Sequence, residues 1–183
     1  MPETAINLSR LPPFDRDGAL HVVVETPKGS RNKYGYEADP GAILLKKVLP
    51  EGMSFPHDFG MIPGTIGADG DPIDVLILLD APAFPGCVVA ARLLGAIEAE
   101  QREGDGPWER NDRLVAVATH APTHDHVRAL ADLRPGLLDE VEAFFVQYNR
   151  LAGRDFRPLR RSDAAGARAL VEAGIAAFAA GGD

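Results

Sequence analysis

The stretch DGDPIDVLILL at residues 69–79 joins a cluster of three carboxylates directly to an apolar run of strand length. Short apolar runs bounded by Gly and Pro are typical of buried strands, so residues 73–79 are predicted to form one. Gly70 permits an unusual backbone conformation and Pro72 fixes φ, so the turn before the strand can be rigid. Asp74 then opens the strand and anchors the cluster to the core.

The three carboxylates of Asp69, Asp71 and Asp74 repel one another unless a positive charge lies among them. Oxygen-only ligands suit hard cations such as Mg²⁺ or Mn²⁺ better than zinc. An EF-hand calcium loop is disfavoured, because Ile73 and Asp74 occupy its ligand and glycine positions and a strand follows instead of a helix. A plain Asp/Gly/Pro turn is the other alternative, but it needs only one or two such residues.

Four more apolar runs predict strands, at residues 20–26, 42–49, 86–98 and 113–119. Gly- and Pro-containing segments separate them, including residues 50–72. The polar segment 101–112 is expected to be a long hairpin loop between two paired strands. Several short strands followed by helices predict an α+β, mainly β fold, in which helices pack against a small closed β-barrel.

Two helices are predicted near the C-terminus. Residues 136–152 carry an apolar stripe at helical spacing, and a second helix is expected over 163–180 with Ser162 or Asp163 as its N-cap. A chain of 183 residues suits one domain. We expect a single domain over 1–183, with an N-terminal extension at 1–18, the barrel at 19–120 and a mainly helical part at 121–183.

The formal net charge of -8 argues against a general nucleic-acid binder, whose phosphate contacts need a basic surface. Cys87 is the only cysteine and the N-terminus lacks the pattern of a secretory signal, so a cytoplasmic location is predicted. Apolar runs are too short to span a membrane. Five arginines between Arg150 and Arg161 are expected to form a solvated charged loop.

Around this signature the sequence resembles the soluble family I inorganic pyrophosphatases. The resemblance rests on DGDPID before VLILL, and it extends in the family's order to four other blocks. These are VVVETPKGSRNKY at 22–34, FPHDFGMIPGT at 55–65, RLVAVAT at 113–119 and FFVQYNRLAGRDF at 144–156. The resemblance implies an OB-like five-stranded barrel with flanking helices. It also implies hydrolysis of pyrophosphate that depends on Mg²⁺, with Mn²⁺ as an alternative to Mg²⁺.

The resemblance also implies roles for individual residues. Asp69, Asp71 and Asp74 would bind metal, with Asp71 the candidate base for the attacking water, and Glu25 would bind a metal–substrate unit. Without the resemblance, Glu25 could be a barrel-rim charge, Lys33 a loop lysine and Tyr148 a core aromatic. With it, the residues expected to act on the substrate are Lys33, Lys47, Arg113 and Tyr148.

Several positions depart from the family pattern. Lys47 stands where an arginine is usual, Arg113 where a lysine is usual, and Asn149 where a lysine commonly follows the helix tyrosine. Phenylalanines replace two tyrosines, and three acidic positions are lost. These five positions are Phe55, Phe59, Gly35, Gln101 and Asn111.

Neighbouring carboxylates could replace the lost ones. Glu37 lies on the same strand face as Gly35, whereas Glu100 and Asp112 are one residue away from Gln101 and Asn111 and would need a bulge to face the site. We therefore expect weaker binding of the outer metals than in a member with the full set.

Two other functions stay open: a diverged member with weak activity or another phosphoanhydride substrate, and a non-enzymatic OB-fold module that binds single-stranded nucleic acid. The resemblance implies a homo-oligomer, with a hexamer favoured. His124 and His126 are expected to be capping or surface residues rather than metal ligands, and His57 has no role that follows from the sequence.

Overall fold

The computed structural model describes residues 7–181, so residues 1–6 of the predicted N-terminal extension lie outside it. Nine strands and two α-helices follow in chain order. The strands are β1 (Leu20–Thr26), β2 (Asn32–Glu37), β3 (Ala42–Val48), β4 (Asp58–Met61), β5 (Asp74–Leu78), β6 (Val88–Glu103), β7 (Glu109–Arg110), β8 (Arg113–Ala118) and β9 (Arg154–Asp163). The helices are α1 (Leu137–Leu151) and α2 (Ala164–Ala180).

Five strands form a closed ring in the order β1-β4-β5-β8-β6, and β6 pairs back onto β1. The β5–β8 pair is parallel and the other pairs in the ring are antiparallel. Val75–Leu78 of β5 and all of β8 are buried, as expected for parallel strands that are covered on both faces. The predicted mainly β barrel with two packed helices is confirmed.

One strand of the predicted set lies elsewhere. Residues 42–48 form β3, but β3 pairs only with β2 in a separate two-stranded sheet, and its Leu45 and Val48 are exposed. Its place in the barrel belongs to β4, a four-residue strand inside the segment 50–72 that was expected to be a connection. The predicted hairpin at 101–112 is present, although β6 continues to Glu103 and pairs with β7.

The arginine-rich segment was expected to be a solvated loop; its arginines are exposed as expected, but the segment is not a loop. Four of its five arginines lie in β9, which pairs antiparallel with β6 along most of its length. Their charges are matched across the pair, because Arg157 contacts Glu100 and Arg160 lies 3.0 Å from Glu98. Opposite charges facing each other stabilise a strand pair.

Both helices cover the barrel as predicted. Val141 and Phe145 of α1 are buried, and the Phe145 ring packs against Phe59 at 5.6 Å between centroids. Asp163 is the N-cap of α2, and its side chain accepts a hydrogen bond from the Gly166 N–H at 2.9 Å. Within residues 7–181, neither helix has the length and apolarity needed to cross a membrane.

Candidate active site

The turn at residues 69–74 is fixed to the barrel from both ends. The Ile73 N–H donates to the Thr65 hydroxyl at 3.1 Å, and the Gly67 N–H donates to the Asp71 carbonyl at 2.7 Å. Gly70 has φ +86°, which confirms the predicted need for glycine. The Ile73 side chain packs against α2 so closely that a Cβ on Gly174 would lie 2.5 Å from Ile73 Cδ1. The three aspartates are therefore held on a rigid, well-packed support.

A cavity of about 270 Å³ opens beside this turn. It is lined by all eight side chains for which the sequence predicts a catalytic or metal-binding role, although they come from six different segments of the chain. They are Glu25, Lys33, Lys47, Asp69, Asp71, Asp74, Arg113 and Tyr148. A larger groove, of about 860 Å³, lies on the other side of the turn, against the Ala- and Gly-rich face of α2. Only Asp69 and Asp74 of the eight line it, so the smaller cavity is the candidate site.

Like charges perturb the acidic side of the cavity. Burial raises the pKa of the Asp69 carboxyl, and the neighbouring Asp74 and Asp71 raise it further. Asp69 also accepts a hydrogen bond from the Asp71 N–H at 3.2 Å, while Asp71 itself is exposed to solvent. Within residues 7–181 no three acidic, histidine or cysteine side chains converge closely enough to form a ready metal site.

Glu25 reaches the cavity from an irregular point in the barrel wall. The register between β1 and β4 shifts between Val24 and Thr26, and such a shift re-aims a side chain. Its carboxylate lies 3.4 Å from Lys33 Nζ and accepts a hydrogen bond from the Tyr36 N–H at 2.7 Å. Burial nevertheless raises the pKa of Glu25, because these two partners offset only part of the lost hydration.

Arg113 is the buried cation of the site. Its side chain is 6% exposed, and Nη1 lies 2.7 Å from Asp74 Oδ2. The same nitrogen contacts the side-chain oxygen of Asn111. The guanidinium lies 5.1 Å from the centroid of the Phe145 ring and 5.5 Å from that of Phe156, which fixes its plane. Arg113 therefore neutralises Asp74, the first residue of β5.

Lys33 and Lys47 occupy directly opposite positions on β2 and β3. Two like charges facing each other across a strand pair destabilise it, so this arrangement has a cost in folding. Burial lowers the pKa of Lys47, and Arg154 and Lys33 lower it further. Lys47 Nζ lies 3.7 Å from the centroid of the Tyr148 ring, and burial raises the pKa of Tyr148 to about 12.

The positions that depart from the family pattern also line the cavity. Phe55 and Phe59 supply apolar surface, and Lys33 Nζ lies 4.6 Å from the centroid of the Phe59 ring. Glu37 lines the cavity together with Gly35, as the strand spacing predicts, but its carboxylate is paired with Lys46. Glu37 therefore adds little uncompensated negative charge.

The neighbours of Gln101 and Asn111 do not replace the missing aspartates. Gln101 and Asn111 line the cavity, whereas Glu100 and Asp112 do not. Glu100 is paired with Arg157, and Asp112 lies 2.8 Å from Arg110. The outer part of the site is thus short of carboxylates, as expected.

Sequence reasoning missed three polar or charged side chains that line the cavity, namely Tyr36, Lys46 and Arg154. Arg154 lies in the arginine-rich segment, where the sequence pattern does not predict the strand β9 that brings it to the cavity. His57 does not line the cavity, and burial lowers its pKa to about 4. His124 ends a short 3-10 helix with Nε2 4.0 Å from Asp80 Oδ1, and it also lies outside the cavity.

Comparison with known proteins gives a consistent result. A family model described as inorganic pyrophosphatase matches residues 22–179. The inorganic pyrophosphatase of Nostoc sp. is 36% identical over 173 residues, which is 94% of this chain and 99% of that protein. The crystal structure of inorganic pyrophosphatase from Thermus thermophilus superposes with a TM-score of 0.86 at 35% identity, over 95% of this chain and 99% of that one. The Helicobacter pylori enzyme gives 0.81 at 28% identity, over 98% and 99%.

Proposed function

The chain belongs to the inorganic pyrophosphatase family, and from this premise we propose that it hydrolyses inorganic pyrophosphate to two phosphates. The observation that carries the proposal is the presence in one cavity of both chemical groups that the reaction needs. Carboxylates can hold a hard cation and accept a proton, and lysine, arginine and tyrosine donors can bind phosphate oxygens.

We propose that Asp69, Asp71, Asp74 and Glu25 hold Mg²⁺, with Mn²⁺ as the second choice. All four offer only oxygen ligands, which suits a hard cation. Burial is the main cause of the raised pKa of Asp69 and of Glu25, and the charge of Asp74 adds to it in both cases, so a cation bound between these carboxylates would stabilise their charged forms. When bound, such a cation neutralises phosphate oxygens and lowers the pKa of water.

The remaining steps belong to side chains of the chain itself. Asp71 is exposed to solvent at the mouth of the cavity, and we assign it the role of the base that accepts a proton from the attacking water. Lys33 and Lys47 would bind phosphate oxygens. Because its pKa is raised to about 12, Tyr148 keeps its proton throughout the neutral range and can donate a hydrogen bond to a phosphate oxygen.

Gln101 and Asn111 favour a second candidate, a diverged member that prefers another phosphoanhydride. Their neutral side chains leave fewer carboxylates for additional metal ions. A substrate comparison separates the two candidates: phosphate release from pyrophosphate and from ATP, each with Mg²⁺ and with Mn²⁺. Faster release from pyrophosphate supports the main proposal, and faster release from ATP supports the second.

The mechanism itself is tested by Asp71→Asn. The exposed position predicts that this variant folds normally, and loss of a general base predicts a fall in kcat of roughly 10²–10⁴-fold. Equal rates for the two proteins would refute the role of Asp71. Absence of phosphate release from the unaltered chain, with either metal, would refute the proposed function.

We further propose that the protein assembles into a homo-oligomer, with a hexamer favoured, and that it is cytoplasmic. The exposed apolar side chains of Leu45, Val48 and Phe84 are surface groups that a contact between subunits would cover. Light scattering coupled to size-exclusion chromatography measures the subunit number directly. Cell fractionation tests the location, and recovery in the membrane fraction would contradict it.

A further inference from the structure

Arg154 lies at the edge of the candidate active site, and no role follows for it from the sequence signature. It is the first residue of β9, and side chains of a strand alternate between its two faces. Arg154 therefore shares a face with Phe156, which is buried against Phe145. The alternation directs Arg154 towards the cavity, which its side chain lines.

Most cations of the cavity are already engaged by carboxylates that also line it. Lys33 is paired with Glu25, Lys46 with Glu37 and Arg113 with Asp74. Of the cavity-lining cations, Lys47 and Arg154 make no such pair. Within residues 7–181, the one ion-pair contact of Arg154 is a long one, 3.7 Å, with Glu103, whose side chain is 81% exposed.

Asn149 stands on the same side of the site, one helical residue after Tyr148, and carries no charge. It is buried, and its side-chain amide donates to the Phe145 carbonyl at 2.9 Å. The amide is thus used within α1 and is not available as a charged donor. The nearby guanidinium of Arg154 is the group that can supply a positive charge here.

We propose that Arg154 binds a phosphate group of pyrophosphate together with Lys47, as a substrate-binding residue supplied by β9. Two cations close together without an anion between them repel, and Arg154 indeed contributes to the lowered pKa of Lys47. A phosphate between them removes this repulsion and accepts the paired N–H groups of the guanidinium. This inference rests on the proposed function, but it concerns phosphate recognition and can be tested separately.

The test compares Arg154→Gln and Arg154→Lys with a control, Arg150→Gln. Arg150 is an exposed arginine at the end of α1, and it does not line the cavity. Arg150→Gln therefore makes the same change in net charge as Arg154→Gln, but outside the site. Three quantities are measured with Mg²⁺ present: KM and kcat for pyrophosphate, and the Kd of inorganic phosphate by calorimetry. Thermal unfolding verifies that each variant is folded.

A contact that is made equally in the bound substrate and in the transition state affects KM and leaves kcat nearly unchanged. Loss of one charge-assisted contact predicts that KM and the phosphate Kd both rise roughly 10-fold in Arg154→Gln. Arg154→Lys keeps the charge but loses the fork, so a rise of about 3-fold is expected. Arg150→Gln should resemble the unaltered chain in both quantities.

Values for Arg154→Gln that match those of Arg150→Gln would overturn the inference while leaving pyrophosphate hydrolysis intact. A fall in kcat with unchanged KM and phosphate Kd would overturn it as well, since Arg154 would then not bind the ground-state phosphate. If the unaltered chain releases no phosphate, the proposed function fails, and the phosphate Kd still decides the role of Arg154. Weaker phosphate binding by Arg154→Gln supports the role, and unchanged or undetectable binding in both proteins refutes it.

Discussion

Replacing Arg113 with methionine should destabilise the protein, and the loss should be smaller when Mg²⁺ is present. Arg113 is buried, and its Nη1 lies 2.7 Å from the carboxylate of Asp74. Methionine keeps much of the apolar length that packs between the rings of Phe145 and Phe156, so the change mainly removes charge. Asp74 would then lack its cation while still lying near Asp69.

The size of the effect follows from the burial of the two partners. Removing one member of a fully buried ion pair costs about 3–5 kcal/mol. The Asp74 side chain is 27% exposed and can regain some hydration, and Arg113 Nε is buried without a partner, so its removal offsets part of the loss. We expect a loss of about 2–3 kcal/mol in the free energy of unfolding, which lowers Tm by roughly 4–12 °C for a chain of this size.

Differential scanning calorimetry in EDTA and in Mg²⁺ provides the measurement. Added cation binds the carboxylates that Arg113 no longer balances, so the fall in Tm should be smaller in Mg²⁺ by at least about 3 °C. Arg134→Gln serves as the control, because Arg134 and its partner Glu140 are both exposed and the fall should be about 1–2 °C at most. An equal fall in EDTA and Mg²⁺ for Arg113→Met would refute the view that Arg113 and a cation neutralise the same carboxylates.

Three further predictions concern the outer site, pH and backbone packing. Restoring carboxylates with Gln101→Asp plus Asn111→Asp should lower the Mg²⁺ concentration for half-maximal phosphate release, and an unchanged titration would contradict the shortage of outer ligands. The folded pKa of Tyr148 is about 12, against 10.0 for the free group. The stability that its neutral hydroxyl contributes is therefore present below pH 10 and is lost as the pH rises towards 12. In urea unfolding, the free energy of unfolding of Tyr148→Phe should fall less steeply over that pH range than that of the unaltered chain. A Cβ on Gly60 would lie 2.1 Å from the Val23 carbonyl oxygen in the paired strand. Gly60→Ala should therefore lower the free energy of unfolding, measured with urea, by at least roughly 3 kcal/mol. Near-normal stability would mean that β1 and β4 can move apart to make room for the methyl group.

The barrel was predictable where burial alone determines a strand. β5 and β8 are buried along almost their whole length, so their apolar runs stand out in the sequence. β4 has only four residues and lies among glycines and prolines, so no local pattern marks it. β9 is stabilised by charge pairs with β6, and a single strand's sequence does not show which charges will lie opposite it.

The candidate site was likewise predictable only in part. The aspartate turn was readable from its own residues, because three carboxylates in six positions need a cation wherever they lie. Arg154 belongs to a strand that was not predicted, and only the β9–β6 register brings it to the cavity. The hydrogen bond from Arg113 to the side-chain oxygen of Asn111 could not be predicted either, because it depends on side-chain geometry in the site rather than on spacing in the sequence.

The charges that line the cavity indicate how a cation would help this acidic protein to bind an anion. Five carboxylates line the cavity, and five cationic side chains line it too, so its formal charge is zero despite a net charge of -8 on the chain. The carboxylates are Glu25, Glu37, Asp69, Asp71 and Asp74, and the cations are Lys33, Lys46, Lys47, Arg113 and Arg154. A neutral cavity has no net attraction for highly charged pyrophosphate, whereas each added divalent ion contributes two positive charges. Aspartates at positions 101 and 111 would make the empty cavity negative, so a larger number of metal ions would have to bind before the substrate, although each would bind at a lower Mg²⁺ concentration. Their absence therefore lowers the number of metal ions needed to make this cavity attractive to pyrophosphate, although it also weakens the binding of the outer ones.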